Sequence, residues 1–237
     1  MDDNRYCKNI YRWSQKLSYS RSNWCSMIHM ILDKYNLLFL WEDESKLYNL
    51  DGKKNNDAKT SEDHMRFWKS WISKHVFSHE EKLWKLEISR KSKLRTYQLL
   101  KSSLKLEPYL YTKGNYKGKM YMASLRSGTS CLEIERGRWI NLPEHMRLCK
   151  VCILQKVENE VHFVCECPLY HEHRQILFDK IKSISKGKWI MHLLDVSTQF
   201  NVLMAGSKDN YEVQIFTAFQ NYLICAFKIR QRILDCQ

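Results

Sequence analysis

Glycine and proline are scarce in this chain of 237 residues, at seven and three. So few breakers disfavour a many-stranded sandwich or barrel and favour long helices. No long hydrophobic run is present either. The longest mainly apolar stretch, YNLLFLW at 35–41, is far too short to span a bilayer. The polar start MDDNRYCKNIYRW does not read as a secretory signal. These absences predict an intracellular protein, nuclear or cytoplasmic, with reduced thiols and no membrane partner. The P-loop, the G-x-S-x-G elbow and the H-E-x-x-H pair are also missing. No catalytic residue or small-molecule substrate is expected, and the chain reads as a non-enzyme.

Hydrophobic residues make up 44% of the chain, with thirteen Tyr, nine Phe and eight Trp, enough to bury a real core. The net charge of +13 is unevenly spread. Positions 81–150 carry 16 Lys and Arg against 6 Asp and Glu, whereas 1–80 and 151–237 are nearly balanced. A concentrated basic segment invites a polyanion, so RNA or DNA is the expected partner.

Apolar spacing of three and four predicts helices. Trp24, Ile28, Ile31, Leu32 and Tyr35 share one face. The acids of WEDES at 41–45 read as a solvated helix end. The polar stretch 51–63 reads as a linker. Phe67, Trp68, Trp71, Ile72, His75 and Val76 form an aromatic stripe that Leu83, Trp84 and Ile88 continue. A short basic helix is expected at 93–106, and a glycine-containing Tyr/Lys loop at 111–122 leading into a helix. Tyr beside Lys suits base stacking and phosphate pairing, and suits simple packing equally well. Helices are expected again at 168–183 and 211–234. The resulting organisation is an N-terminal helical segment (1–50), the linker (51–63), a basic helical region (64–123), a zinc-binding module (124–185) and a C-terminal helical tail (186–237). The fold class is mainly α, with a small zinc-knuckle β-hairpin inserted before a helix.

The densest chemistry is CKVCILQKVENEVHFVCECPLYHEHR at 149–174, with four cysteines and three histidines. Zinc takes four tetrahedral thiolate or imidazole ligands. Cys149 and Cys152 have the C-x2-C spacing of a tight knuckle. Glu158, Asn159 and Glu160 read as a polar turn, and Val161, Phe163 and Val164 as a return strand placing His162 opposite its neighbours. The fourth ligand is Cys165 or Cys167. Spacing favours Cys167: it precedes Pro168, suited to the first position of a helix, and x4 leaves room for the chain to turn. His145, His171 and His173 are weaker competitors. One structural Zn2+ on Cys149, Cys152, His162 and Cys167 is therefore expected, closed to substrate.

The stretch from Ser124 to Tyr170 resembles the C-terminal zinc-binding region of non-LTR (LINE-like) retrotransposon reverse transcriptases. That family shows Leu-Arg, then L-x-I-E-x-G-R and an aromatic, a proline, R-x-C-x2-C, an acidic turn with H-F, and C-P-x-Y. Here these positions are Leu125, Arg126, Leu132, Ile134, Glu135, Gly137, Arg138, Trp139, Pro143, Arg147, Cys149, Cys152, His162, Phe163, Cys167, Pro168 and Tyr170. Ser130 stands where many members have His, and Cys165 is an extra cysteine. KYNLLFLWED, KLRTYQLLKSSLKLEPYL and FNVLMAGSKD…AFKIRQRIL resemble flanking parts of the same region. The resemblance implies the same four ligands. It also implies a detached piece without the polymerase core, holding template RNA or target DNA. Lys93, Arg95, Lys117, Lys119, Arg126, Arg136, Arg138 and Arg147 are the expected phosphate contacts, with local pairing to Glu133 or Glu135 as the other role for Arg136 and Arg138.

Overall fold

The computed structural model describes residues 24–42 and 61–236. The 1–50 segment before residue 24, the acids after Glu42 and the linker up to residue 60 lie outside the described residues. Two compact units divide at Leu83 and Trp84. No helix among the described residues is long and apolar enough to cross a membrane.

The first unit contains α1 (Trp24–Lys34), α2 (Phe39–Glu42) and most of α3 (Ser61–Ser89). Helix α3 takes in the aromatic stripe and its continuation, and starts inside the stretch expected to be linker. The turn after α1 is pinned to α3 by polar contacts. Lys34 Nζ and the Tyr35 hydroxyl both donate to Glu80, at 2.7 and 2.8 Å. His75 Nε2 lies 2.8 Å from the Tyr35 carbonyl. The stripe residues Phe67, Trp68 and Trp71 are half-buried and meet edge to face.

The second unit is built on α9 (Glu212–Asp235). Its spacing puts Ile215, Phe216, Phe219, Leu223 and Ala226 on one buried face. Against it pack α5 (Tyr116–Ser127), α7 (His171–Ile184) and α8 (Val196–Ala205). Shorter helices α4 (Arg95–Leu100) and α6 (Glu133–Trp139) complete the unit. Helices α5 and α9 approach closely because Gly118 has no side chain. A Cβ there would come within 2.6 Å of Gln220 Cβ. Gln220 is itself fully buried, and its amide donates to the Thr112 hydroxyl and the Tyr109 carbonyl.

One apolar core serves the 64–123, 124–185 and 186–237 segments together, through Met122, Phe163 and Phe219 among others. The C-terminal stretch is thus the centre of the unit. Phe227 of α9 packs on Phe163 at 4.6 Å and stacks on Tyr121 at 4.3 Å. Phe163 in turn meets Tyr170 edge-on. This aromatic chain runs directly beneath the cysteine cluster.

Three further local expectations need correction. The helix expected over 93–106 ends at Leu100, where Lys101 turns extended. The hairpin is reduced to one antiparallel bridge, Leu148 with Val157. The expected return strand is instead a helical turn of π type, His162–Glu166. Asn159 starts it, its side chain accepting from the His162 N–H and its carbonyl from the Phe163 N–H. Backbone capping and burial of Phe163 and Val164 override the β preference of Val and Phe here.

Candidate metal centre

The bridge between Leu148 and Val157 closes the knuckle. The Cys149 N–H donates to Lys156 and the Glu158 N–H to Arg147. This places the Cys149 and Cys152 thiols on the inner side of the loop. The helical turn then carries His162 to them, and the Cys167 N–H closes that turn on the His162 carbonyl at 2.7 Å. Cys167 leads straight into the Pro168–Tyr170 turn and α7. The ligand atoms of Cys149, Cys152, His162 and Cys167 all lie within 4.8 Å of one another, close enough to hold a metal ion. These are the four residues that spacing favoured.

The imidazole is oriented for the role. Its Nε2 faces the Cys152 thiol at 3.5 Å. Its Nδ1 has no hydrogen-bond partner, with Glu166 Oε2 3.5 Å away. Glu166 is also paired with Lys156 at 3.3 Å. A carboxylate behind the distal ring nitrogen is the usual way of fixing a ligating histidine. The Cys149 thiol is pushed up to about 12, first by its hydrogen bond with Cys167 and then by burial. A cation bound at the cluster would offset that opposition to ionisation of Cys149.

The competitors fall away by position. Cys165 is buried in the apolar core and outside the cluster. His145 and His171 are exposed and His173 half-buried, none of them in the cluster.

Around the centre lies a buried charge network that the sequence reading missed. Glu133, Glu135, Glu158 and Glu160 are all 5% exposed or less. Buried carboxylates need cationic partners. Glu158 is fully buried and holds Arg230 of α9 in a two-pronged pair at 2.7 and 2.8 Å. It also accepts the Glu133 N–H at 2.8 Å and sits 3.8 Å from Cys149 Sγ. The supposed polar turn is therefore an anchor joining α6, α9 and a metal ligand. Arg230 reaches Glu133 as well, at 3.6 Å. Burial opposes the Arg230 charge, but the Glu158 carboxylate outweighs it and raises the guanidinium pKa. The signal that could have found this is the placement of Glu133 and Glu135 beside the core residues Leu132 and Ile134.

Internal partners, in this network and outside it, claim several expected phosphate contacts. Arg126 was expected to face phosphate; it is 2% exposed, bonded to Glu107 at 2.8 Å and to the Met204 carbonyl. Arg95 bridges Glu135 and Glu160 at 2.7 and 2.6 Å. Arg147 donates to the Leu142 and Ile134 carbonyls, stapling α6 to the loop before the knuckle. Arg138 is mostly covered, 3.8 Å from Glu135. Lys119 is half-buried and donates to the Leu110 carbonyl. Lys93 and Lys117 are exposed, and so is Arg136, which lies 3.8 Å from Glu133.

Gly137 lets the Arg147 side chain cross α6. A Cβ there would meet Arg147 Cγ at 2.5 Å. Gly137→Ala should therefore lower the stability of the second unit by about 1–3 kcal/mol, the usual cost of overpacking. Urea unfolding measures it, and an unchanged midpoint would mean that the Arg147 crossing does not constrain position 137.

The Cys3His cluster and the buried carboxylates around it are thus the densest group of chemistry-bearing side chains among the described residues of the second unit. No family model matches the chain, and neither does any curated protein or solved structure.

Proposed function

We propose that the chain is a non-catalytic, zinc-stabilised nucleic-acid-binding fragment of the kind found at the C-terminus of retrotransposon reverse transcriptases. Zinc is the metal that best suits three thiols and one imidazole. With Zn–S near 2.3 Å and Zn–N near 2.0 Å, tetrahedral geometry separates sulfur from nitrogen by roughly 3.5 Å. The observed 3.5 Å between Cys152 Sγ and His162 Nε2 suits that value. Four protein ligands leave no open position for water or substrate, so the metal's work is to hold the knuckle.

The nucleic-acid reading rests on one observation: the exposed Tyr/Lys segment at 111–117. Tyr111 is 67% exposed and Tyr116 79%, with Lys113 and Lys117 exposed beside them. An aromatic ring left in solvent next to an ammonium is suited to stacking a base while pairing its phosphate. Lys93 is a further exposed cation, and Arg136 is exposed 3.8 Å from Glu133. The bound strand would be template RNA or target DNA. The internal roles of Arg95, Arg126 and Arg147 favour a second reading, a structural or protein-interacting remnant.

Binding of a labelled single-stranded RNA and a DNA duplex across a salt series separates the two. The first reading predicts affinity that falls steeply with salt. Lys113→Glu with Lys117→Glu should weaken binding by about tenfold or more, while Lys228→Glu on α9 should change it little. Absence of binding at low salt, or an affinity flat in salt, would leave the second reading.

A further inference from the structure

The second unit contains a cleft of about 570 Å³ between the end of α4 with the stretch that follows it to Pro108, on one side, and α8 with the turn that follows it, on the other. That size falls in the range of roughly 300–1,000 Å³ typical of small-ligand sites. Its polar lining is dominated by donors. Lys101, Lys105 and Lys208 contribute three ammonium groups, and Ser102, Ser103 and Asn201 add neutral polar groups.

The acids in the cleft are already engaged. Glu107 is shared by Lys101 at 2.7 Å and by buried Arg126 at 2.8 Å, two cations on one carboxylate. Glu212 accepts the Lys208 N–H at 2.7 Å. Lys105 and Lys208, by contrast, make no side-chain ion pair among the described residues, and both are exposed. The lining thus holds three ammonium groups against two carboxylates, and two of the ammonium groups, on Lys105 and Lys208, are free of ion pairs among the described residues. At its edge, Leu99 is 82% exposed and Leu106 61%, an apolar surface beside the cationic one.

We propose that this cleft binds a nucleotide unit, with its phosphate on Lys105 and Lys208 and its base against Leu99 and Leu106. A phosphate oxygen fits a free ammonium better than any neutral group does, because the contact is charge-assisted. Neutral donors at 102, 103 and 201 suit the hydroxyls of a ribose. The source is one residue of a bound strand, so the inference rests on the nucleic-acid reading above and gives that strand a second point of contact. A free nucleotide offers the same chemistry, and the experiment tells the two apart.

The test uses the full metal-loaded chain, a fluorescein-labelled oligouridylate of twelve residues, and free uridine monophosphate. Lys105→Glu and Lys208→Glu are made singly and together, with Lys113→Glu/Lys117→Glu alongside. Both cleft lysines are exposed and unpaired, so the folded state should survive their reversal, which circular dichroism and metal content verify. The proposal predicts about tenfold or greater loss of oligonucleotide affinity in the cleft double variant. It also predicts a salt slope smaller by about 1.4, the loss of two single-strand phosphate contacts. Uridine monophosphate should compete only weakly. If the cleft variant binds like the wild type while the 113/117 variant is impaired, the cleft proposal is overturned and the nucleic-acid reading stands. If the wild type binds neither oligonucleotide nor uridine monophosphate, both fall. Tight binding of uridine monophosphate without strand binding would overturn the strand source and mark a free-nucleotide site.

Discussion

Cys167→Ser should abolish metal binding and remove much of the helical signal of the second unit, whereas Cys165→Ser should leave metal content intact. The two cysteines are two residues apart and both are buried, at 0% and 8% exposure, so burial alone does not separate them. Position does. Cys167 belongs to the four-ligand cluster and ends the turn begun at His162, while Cys165 packs into the apolar core. Structural zinc supplies about 10–16 kcal/mol in small zinc domains. A whole domain is stable by only about 5–15 kcal/mol. Losing one ligand of four is therefore enough to decide whether the knuckle folds. The damage should spread, because Phe163 and Tyr170 beneath the knuckle are core residues that contact each other, and Phe163 meets Phe227 of α9. Arg174 adds a second tie, donating from α7 to the Cys167 carbonyl at 3.1 Å. Serine at 165 costs only a buried hydroxyl, about 1–3 kcal/mol, with the metal retained. Metal content by mass spectrometry and circular dichroism give the answer. Equal metal loss from both variants, or none from either, would overturn the ligand assignment.

The second large effect is expected far from the metal in sequence. Arg230→Met should destabilise the second unit by about 3–5 kcal/mol, because it strands the Glu158 carboxylate in the interior. The pair is fully enclosed, with Arg230 1% and Glu158 0% exposed, so solvent screening gives little relief. Glu158 also steadies the first turn of α6 through the Glu133 N–H and lies against Cys149 Sγ. Metal affinity should therefore fall together with stability. The double variant Glu158→Leu/Arg230→Met should recover part of the loss, since removing both charges removes the stranded one. Urea unfolding and a zinc competition titration measure the two quantities. A loss below about 1 kcal/mol for Arg230→Met would mean that the pair behaves like a surface ion pair, contrary to this structure.

The metal centre was more legible than the charge network, and the reason is distance along the chain. The ligands sit within nineteen positions, 149–167, and a C-x2-C turn and a following proline are local signals. His162 was placed correctly by spacing even though its backbone was read as a strand. Val161, Phe163 and Val164 carry β preference, but Asn159 caps a helical turn there and the core accepts that turn. Glu158 reads as a solvent-facing turn residue because its partner Arg230 is 72 positions away. Arg126 reads as a phosphate ligand for the same reason, its acceptors Glu107 and Met204 lying outside its own helix. The basic surplus at 81–150 is real in composition, yet part of it neutralises buried glutamates. The helical class was legible from periodicity: α3 and α9 match the expected patterns closely. Helix α8 had no clear expectation, since VSTQFNVLMA mixes β-branched residues with a short apolar run.

The proposed role of the second unit depends most on a metal held by three sulfurs and one nitrogen. X-ray absorption at the zinc edge on the purified full chain tests this directly. One zinc per chain is predicted, with three sulfur scatterers near 2.3 Å and one nitrogen near 2.0 Å, and no exchangeable oxygen. A chain without stoichiometric zinc, or a shell containing a water oxygen or fewer than three sulfurs, would contradict it.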